Sequence, residues 1–283
     1  MDNESFAVWV GLIFSIAIMI VICPMIFPIR DSKPNPDITP PSIILVSPQD
    51  NIIHKSGFPI EFNITDYHIN TVWYNWDSTI NQTLIPPYIV YLPSGEGTHM
   101  LYIFANDTRG NTQSKVFQFI TDDISPTIKL IDPPNETVHK SGYLINLSIS
   151  DSHLHTVIYH WDSDDNSILN YPYNVYLPVG DSSHWLFITC NDSAGNMALQ
   201  QFLFITDDTP PIIILNSPSN NSIKQSNTVI DLSVFDDFLS TVYYHWDNQS
   251  NISLLEPYDV FLPNGDGPHE LWIYANDTLG SLS

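Results

Sequence analysis

Thr71-Val-Trp-Tyr-Asn-Trp-Asp77 is a heptapeptide that occurs three times in this chain of 283 residues. It returns as Thr156-Val-Ile-Tyr-His-Trp-Asp162 and as Thr241-Val-Tyr-Tyr-His-Trp-Asp247, each copy 85 positions after the last. Val, Tyr and Trp fall on alternate residues in every copy, so a β-strand presents them on one face while the other face varies. This pattern predicts a half-buried strand whose tryptophan belongs to a structural core, at Trp76, Trp161 and Trp246.

The same 85-residue register extends beyond the heptapeptide, with no insertion, to a proline at each unit's start and to the recurring histidines His99, His184 and His269. We expect the repeats to span residues 39–123, 124–208 and 209–283. A short tail (1–5), an apolar segment (6–29) and a proline-containing spacer (30–38) precede them. An 85-residue unit is too long for a solenoid repeat and can enclose a core of its own, so we expect tandem compact modules.

Each unit contains short apolar segments that alternate with polar residues and are separated by turn residues. No segment of the repeats shows the 3.6-residue period of a helix, so the repeats are predicted to be all-β. Seven short strands with a tryptophan in the third are typical of an immunoglobulin-like (Ig-like) β-sandwich. In the first unit the predicted strands are centred on Ile43–Leu45, Ile60–Thr65, Val72–Trp76, Thr83–Ile85, Tyr88–Leu92, Leu101–Ala105 and Val116–Thr121.

Three motifs resemble those of the tandem Ig-like modules of bacterial and archaeal surface proteins. They are Asp-Asp-Thr-Pro-Pro at 207–211, the repeated Tyr-x-Trp-Asp, and Asn-Asp-x-x-Gly-Asn at 106–111 and 191–196. The resemblance covers residues 39–283 and implies an adhesin, a stalk or a surface-layer component. The cysteine pair of antibody domains is absent, since Phe62 and Ile103 stand roughly at its positions.

The segment from Phe6 to Ile29 is almost wholly apolar and supplies the ~20 helical residues that cross a bilayer. No small-residue cleavage site follows it, so we interpret it as a retained transmembrane helix or signal anchor rather than a cleaved signal peptide. Arg30 and Lys33 follow the segment, and the positive-inside rule would then place the repeats in the cytoplasm.

Glycosylation motifs argue for the opposite orientation, with the repeats outside the cell. Asn-x-Ser/Thr is an acceptor sequence only where the glycosylation machinery acts. One such site recurs in every unit, although Asn-Asp-Thr is also ordinary turn chemistry. We expect repeats on the cell surface. Besides Asn3, the candidate acceptors are Asn63, Asn81, Asn106, Asn135, Asn146, Asn191, Asn220, Asn248, Asn251 and Asn276.

The charge balance is strongly acidic, with 31 Asp and Glu against 8 Lys and Arg and a net charge of −23. Nucleic acid is therefore not an expected partner, because phosphates bind basic surfaces. Divalent cations are the partners that such a surface favours. The two cysteines, Cys23 and Cys190, are not expected to form a disulfide, and Cys190 is interpreted as a small buried thiol.

Acidic residues cluster where one module is predicted to meet the next. In an Ig-like sandwich the chain enters at one end, where the B–C and F–G loops also lie. The last strand leaves at the opposite end. Carboxylates from two modules would therefore meet at each junction and could bind Ca²⁺, which takes six to eight oxygen ligands. Cadherin ectodomains, which Ca²⁺ rigidifies at each junction, are similar in principle. The alternative is that these Asp-rich loops are ordinary solvated turns. The candidate ligands are Asp122, Asp123, Asp151, Asp192, Asp207, Asp208, Asp236 and Asp277.

Other chemistry finds less support in the sequence. The recurring histidines are interpreted as structural hydrogen-bonding residues at a strand edge. A sugar-stacking platform is a further alternative, for which Trp73 and Tyr102 on outward faces are the best candidates. No phosphate loop, nucleophile elbow, zinc-protease motif or Cys-x-x-Cys pair occurs, so we do not expect an enzyme.

The third unit ends at Ser283, the counterpart of Gln113, and so has no counterpart of the predicted last strand at 114–123. Two explanations are open. The sequence continues in a longer gene product, or a partner chain donates the strand. In total the sequence predicts a membrane-anchored cell-surface stalk or adhesion module. The alternatives are a Ca²⁺-stiffened adhesin, a carbohydrate-binding surface receptor and a subunit of a donor-strand-polymerising filament.

Overall fold

The computed structural model describes residues 37–283, and every helix or strand element in that range is a β-strand. The predicted tail, transmembrane segment and most of the spacer lie outside the described residues. Between residues 37 and 283 there is no helix with the length and apolarity that a bilayer crossing requires. All of the strands belong to one compact unit, Pro40–Ser283.

The first repeat forms two sheets with the strand orders β1-β3-β6 and β2-β8-β7-β4-β5. All pairs are antiparallel except β2 and β8, which run parallel, with Ile53 opposite Ile120. The strands are β1 (Ser42–Ser47), β2 (Ile53–His54), β3 (Pro59–Thr65), β4 (Ile69–Trp76), β5 (Gln82–Thr83), β6 (Ile89–Tyr91), β7 (Gly97–Asp107) and β8 (Thr112–Thr121).

The second repeat has the same topology, with the orders β14-β11-β9 and β10-β16-β15-β12-β13 and a parallel β10–β16 pair. Its strand β12 starts 85 residues after β4, at Leu154. The strands are β9 (Thr127–Asp132), β10 (Thr137–His139), β11 (Leu144–Ser150), β12 (Leu154–Trp161), β13 (Ser167–Ile168), β14 (Asn174–Tyr176), β15 (Ser182–Asp192) and β16 (Met197–Thr206).

The third repeat forms two three-stranded sheets, β17-β18-β21 and β20-β19-β22. Among the described residues it has no counterpart of β2 or β8, and Ile223, in the connection where β2 would fall, is 99% exposed. The strands are β17 (Ile212–Ser217), β18 (Val229–Phe235), β19 (Leu239–Trp246), β20 (Ile252–Ser253), β21 (Asp259–Phe261) and β22 (Leu271–Asp277).

A separate hydrophobic core lies between the two sheets of each repeat, because alternate residues of every long strand face inward. The first two cores contain 12 and 13 buried residues and include fully buried Phe119 and Phe204. Each such phenylalanine contributes roughly 1.5–3 kcal/mol through removal of its apolar surface from water. The third core contains only 8 buried residues. Leu271 and Ile273 are half-buried there, whereas their counterparts are fully buried.

The repeated heptapeptide forms the C strands β4, β12 and β19, and its valines are buried in all three cores. Trp161 and Trp246 are buried, while Trp76 is half-buried and packs against the first core. The Trp161 ring meets Phe204 edge-on, with centroids 6.2 Å apart. The tryptophan therefore connects the C strand to the last strand of its own sandwich in the first two repeats.

The predicted strands differ from the observed ones at the edges of the sheets. The last strand of the first repeat begins at Thr112, four residues before the predicted Val116, because it pairs with β7 over its full length. The parallel strands β2 and β10 were not expected at all. They contain two and three residues, too few to show an alternating pattern.

Candidate functional site

The entry end of each repeat is formed by two loops that lie against each other. In repeat 1 the B–C loop joins β3 to β4, and the F–G loop joins β7 to β8. In the second repeat the Ser193 amide donates to the His153 carbonyl at 2.9 Å, and in the third the Thr278 amide donates to the Phe238 carbonyl at 2.9 Å. These bonds fix the two loops relative to each other. In the third repeat they bring Asp236 near Asp277.

Each F–G loop is closed by the aspartate that starts it. Oδ1 of Asp107 accepts the amides of Arg109 and Asn111 at 2.9 and 2.8 Å, and the glycine between them, Gly110, has a φ of 92°. This is the turn capped by its first Asp, followed by a left-handed Gly, that the Asn-Asp-x-x-Gly-Asn motif predicts. The motif is therefore first of all a structural one.

The preceding repeat delivers its last residues to this entry end. Asp122 follows β8 and Asp207 follows β16, and their amides donate to the carbonyls of His54 and His139 at 3.0 and 3.1 Å. Both side chains are nearly fully buried. The structure thus places Asp122 beside Asp151 and His153, and Asp207 beside Asp236 and Asp277, with candidate ligand atoms of each group within 4.8 Å of one another.

Asp122 and Asp207 are each followed by a second aspartate, whose side chain accepts hydrogen bonds from its own repeat. Asp123 accepts the Ser56 amide at 2.8 Å, and Asp208 accepts the amide and the hydroxyl of Ser141. Asp192 accepts both the amide and the side-chain amide of Asn196, at 2.8 and 2.6 Å. The structure therefore does not bring Asp123, Asp208 or Asp192 together with the other candidate ligands in such a group.

The junction between repeats 1 and 2 is closed by hydrogen bonds of the protein itself. Nδ1 of His153 lies 2.7 Å from Oδ2 of Asp122, and Nδ2 of Asn196 donates to the Asp122 carbonyl at 2.9 Å. His153 and Asn196 were not among the residues expected to matter. Aligning the repeats could have identified them, because the third repeat has Phe238 and Ser281 at those positions.

The junction between repeats 2 and 3 lacks both of these donors. Oδ2 of Asp207 and Oδ2 of Asp277 are buried and have no hydrogen-bond partner. Burial, together with the carboxylates of Asp236, Asp277 and Asp181, raises the pKa of Asp207 above its ordinary value. A cleft of about 330 Å³ opens beside these groups, and its lining includes Asp181 but no Lys, Arg or His.

The candidate glycosylation sites differ in how far their side chains are engaged. The site common to all repeats is half-buried and hydrogen-bonded: Asn106 accepts the Thr71 amide at 3.0 Å, and Asn276 accepts the Thr241 hydroxyl. In repeats 1 and 3 this asparagine therefore has a structural role, the bond between strands C and F. Asn191 is half-buried and bonded to its neighbour, and Asn146 is half-buried. The exposed candidates are Asn63, Asn81, Asn135, Asn220, Asn248 and Asn251.

The chain matches no protein-family model and no curated protein. Solved structures of Ig-like and fibronectin type III-like modules are similar to it. The fibronectin(III)-like modules of Clostridium thermocellum CbhA share 17% identity at a TM-score of 0.36, over 58% of this chain and 94% of theirs.

Two further solved structures extend the comparison. Immunoglobulin domains 1–5 of Sidekick-1 share 10% identity at a TM-score of 0.38, over 85% of this chain and 57% of that chain. Latent PorU from Porphyromonas gingivalis shares 12% identity at a TM-score of 0.27, over 86% of this chain and 33% of that one. The chain therefore spans between a third and somewhat more than half of these two longer proteins.

Proposed function

We propose that this protein is a membrane-anchored cell-surface protein whose Ig-like repeats act as a stalk or an adhesion module. The observation that carries the proposal is the joint between repeats 1 and 2. There, a buried residue at the end of one sandwich, Asp122, is bound by His153 and Asn196 of the next. Buried polar contacts of this kind restrict the angle between neighbouring modules, which is what a spacer needs.

The rigidity of this joint is measurable as a distance distribution between two spin labels. The labels go on the exposed positions Thr79 and Asp165, changed to Cys in a Cys23→Ser background. The double change His153→Ala and Asn196→Ala removes the contacts to Asp122, and we expect it to broaden the distribution. His155→Ala is the matched control, because His155 is exposed and bonds only its neighbour Thr156 among the described contacts. Equal widths for all three proteins would refute the stalk.

The proposed anchor is the apolar segment 6–29, with the repeats outside the cell. We expect the full chain to remain in the membrane pellet at alkaline pH and a chain without residues 6–29 to become soluble. Protease added to intact cells should then degrade the repeats of the anchored protein. Protection of the repeats in intact cells, followed by cleavage after lysis, would reverse the orientation.

A second candidate function is carbohydrate binding on the outer face of repeat 3. Trp272 is 49% exposed, and its ring stacks on His245 with centroids 6.1 Å apart and 12° between planes. His245 in turn stacks on Tyr274. Flat aromatic surfaces bind the apolar faces of sugars. In repeat 1 the counterpart of Trp272 is the half-buried Tyr102, and Trp73 on the same face is half-buried and stacked on Phe104, so this face is less open there.

Binding to immobilised glycans tests this candidate. Trp272→Ala should abolish any binding that depends on the platform, whereas Trp185→Ala, which alters a tryptophan of similar exposure in repeat 2, should not. The absence of binding to any glycan, or equal loss in both variants, would exclude the platform.

A further inference from the structure

The two junctions between repeats are built from the same acidic positions but differ in what satisfies them. At the first junction, Asp122 is bound by the imidazole of His153 and Asp192 by the side-chain amide of Asn196. Asn196 also donates to the Asp122 carbonyl across the junction. Every buried carboxylate there thus has a donor from the protein.

At the second junction both donors are replaced at once, by Phe238 and by Ser281. Phe238 has no polar side-chain atom, and the buried Ser281 hydroxyl makes no hydrogen bond in the structure. The result is two buried carboxylate oxygens, one on Asp207 and one on Asp277, without a hydrogen-bond partner. Asp207 is 5% exposed and Asp277 is 1% exposed, so neither carboxylate is hydrated as it would be at the protein surface.

Unpaired buried charges of like sign are costly, because each has lost its hydration and each repels the other. The three aspartates are nevertheless present here, at the positions that Asp122, Asp151 and Asp192 hold at the first junction. A compensating positive charge is therefore missing from the described residues around the cleft. A bound cation is the simplest source of it.

The carboxylates are also held in position by their own loops. Oδ1 of Asp236 accepts the Phe238 amide at 2.7 Å, and Oδ1 of Asp277 accepts the Leu279 and Ser281 amides, each at 2.8 Å. In both residues the second oxygen is left for another partner. Rigid carboxylates with one oxygen committed and one available are a preorganised donor set.

We propose that the junction between repeats 2 and 3 binds a Ca²⁺ ion through Asp207, Asp236 and Asp277, and that His153 and Asn196 take the place of that ion at the first junction. The donor set contains oxygen only, which favours Ca²⁺ or Mg²⁺ over the nitrogen- and sulfur-seeking metals. Three carboxylates leave several of the six to eight positions of Ca²⁺ to water, which the adjoining cleft admits. The site is independent of whether the protein is a stalk.

Calorimetric titration of CaCl₂ into the EDTA-stripped full chain in detergent tests the proposal. We expect saturable binding with a dissociation constant on the order of 10⁻⁴–10⁻³ M, the range of extracellular calcium modules, and a higher melting temperature with Ca²⁺. Asp277→Asn keeps the amide-accepting oxygen of the loop and should weaken this binding at least tenfold.

Two further variants separate the metal site from general loop damage. Asp192→Asn alters the equivalent loop at the first junction and should leave calcium binding unchanged. Phe238→His introduces the imidazole of the first junction, and should weaken calcium binding at least tenfold while stabilising the metal-free protein. Absence of saturable binding to the wild-type chain, or equal binding by wild type and Asp277→Asn, would overturn the proposal.

Discussion

Asp77, Asp162 and Asp247 end the three copies of the heptapeptide, and each makes the same set of bonds. In repeat 2, Asp162 accepts the Trp185 amide at 2.8 Å and lies 3.0 Å from Nδ1 of His184. Its φ of 45° is in the left-handed region, which Asp tolerates better than most residues. The aspartate thus ties the end of strand C to the start of strand F, and the recurring histidine is its partner, as predicted for a structural hydrogen bond.

Because of this pairing, we expect the stability of repeat 2 to decrease at acid pH. Partial burial acts to raise the pKa of Asp162, but the bonds from the Trp185 amide and from His184 outweigh it, so the folded-state pKa is lowered. Its stabilising contribution is therefore complete above the unfolded-state pKa of about 3.9 and is lost as the pH falls through the lower folded-state value. We expect Asp162→Asn to destabilise repeat 2 at pH 6 but much less near pH 2, as measured by urea unfolding. An equal loss at both pH values would contradict this.

Cys190 is the second residue whose behaviour follows from its position. Its thiol lies in the core of repeat 2 at 2% exposure, and burial followed by the nearby Asp151 raises its pKa. The thiolate that reacts with alkylating agents is therefore both scarce and inaccessible. We expect negligible modification by iodoacetamide in native protein and complete modification in urea, with mass spectrometry of the Cys190 peptide as the measurement. Rapid labelling without denaturant would show that this core opens.

Individual residues were predictable from the sequence where a periodic pattern determined their environment. Alternation identified the tryptophans, and the turn motif identified the aspartate that caps each F–G loop. His153 and Asn196 were missed, because their role arises from contact with a residue of the preceding repeat. No pattern within one repeat contains that information. Likewise the separate behaviour of Asp122 and Asp123 depends on which side of the last strand each faces.

At the level of elements, the strand that follows the F–G loop completes each sandwich. β8 pairs with β7 over ten residues and supplies fully buried Phe119. β22 pairs with β19 in the same way as β7 with β4, but beyond it lies only an isolated bridge between Asn276 and Leu282. The smaller third core follows from this difference, since nothing in the described chain covers Leu271 and Ile273 fully.

Supplying this strand should therefore stabilise repeat 3. We expect a chain extended after Ser283 by a copy of residues 114–123 to show a thermal transition of repeat 3 that is several degrees higher, because Leu271 and Ile273 become buried. Scanning calorimetry provides the measurement. A control extension carrying the counterpart of Phe119→Asp has the same length without the central apolar residue. If it stabilises repeat 3 equally, the gain does not come from core completion.

The whole chain carries a net charge of −23, with 31 Asp and Glu against 8 Lys and Arg, so repulsion between acidic side chains outweighs attraction to basic ones at long range. Self-repulsion of this kind destabilises the compact state and is screened by salt. We expect the melting temperature to rise by a few degrees between about 20 and 500 mM NaCl, where the Debye length falls several-fold. Tryptophan fluorescence follows the transitions. A decrease would mean that attractive pairs such as Asp162–His184 dominate the electrostatics.

The parallel pairing of β2 with β8, and of β10 with β16, has a mechanical consequence. A pulling force enters each of these repeats at its first strand and leaves after its last. The second strand, β2 or β10, lies beside that last strand and runs parallel to it. Tension along the chain therefore loads their hydrogen bonds in shear, so that the bonds must break together rather than one at a time. Repeats 1 and 2 contain such a clamp, and the described part of repeat 3 does not. Under load, repeat 3 is expected to yield first.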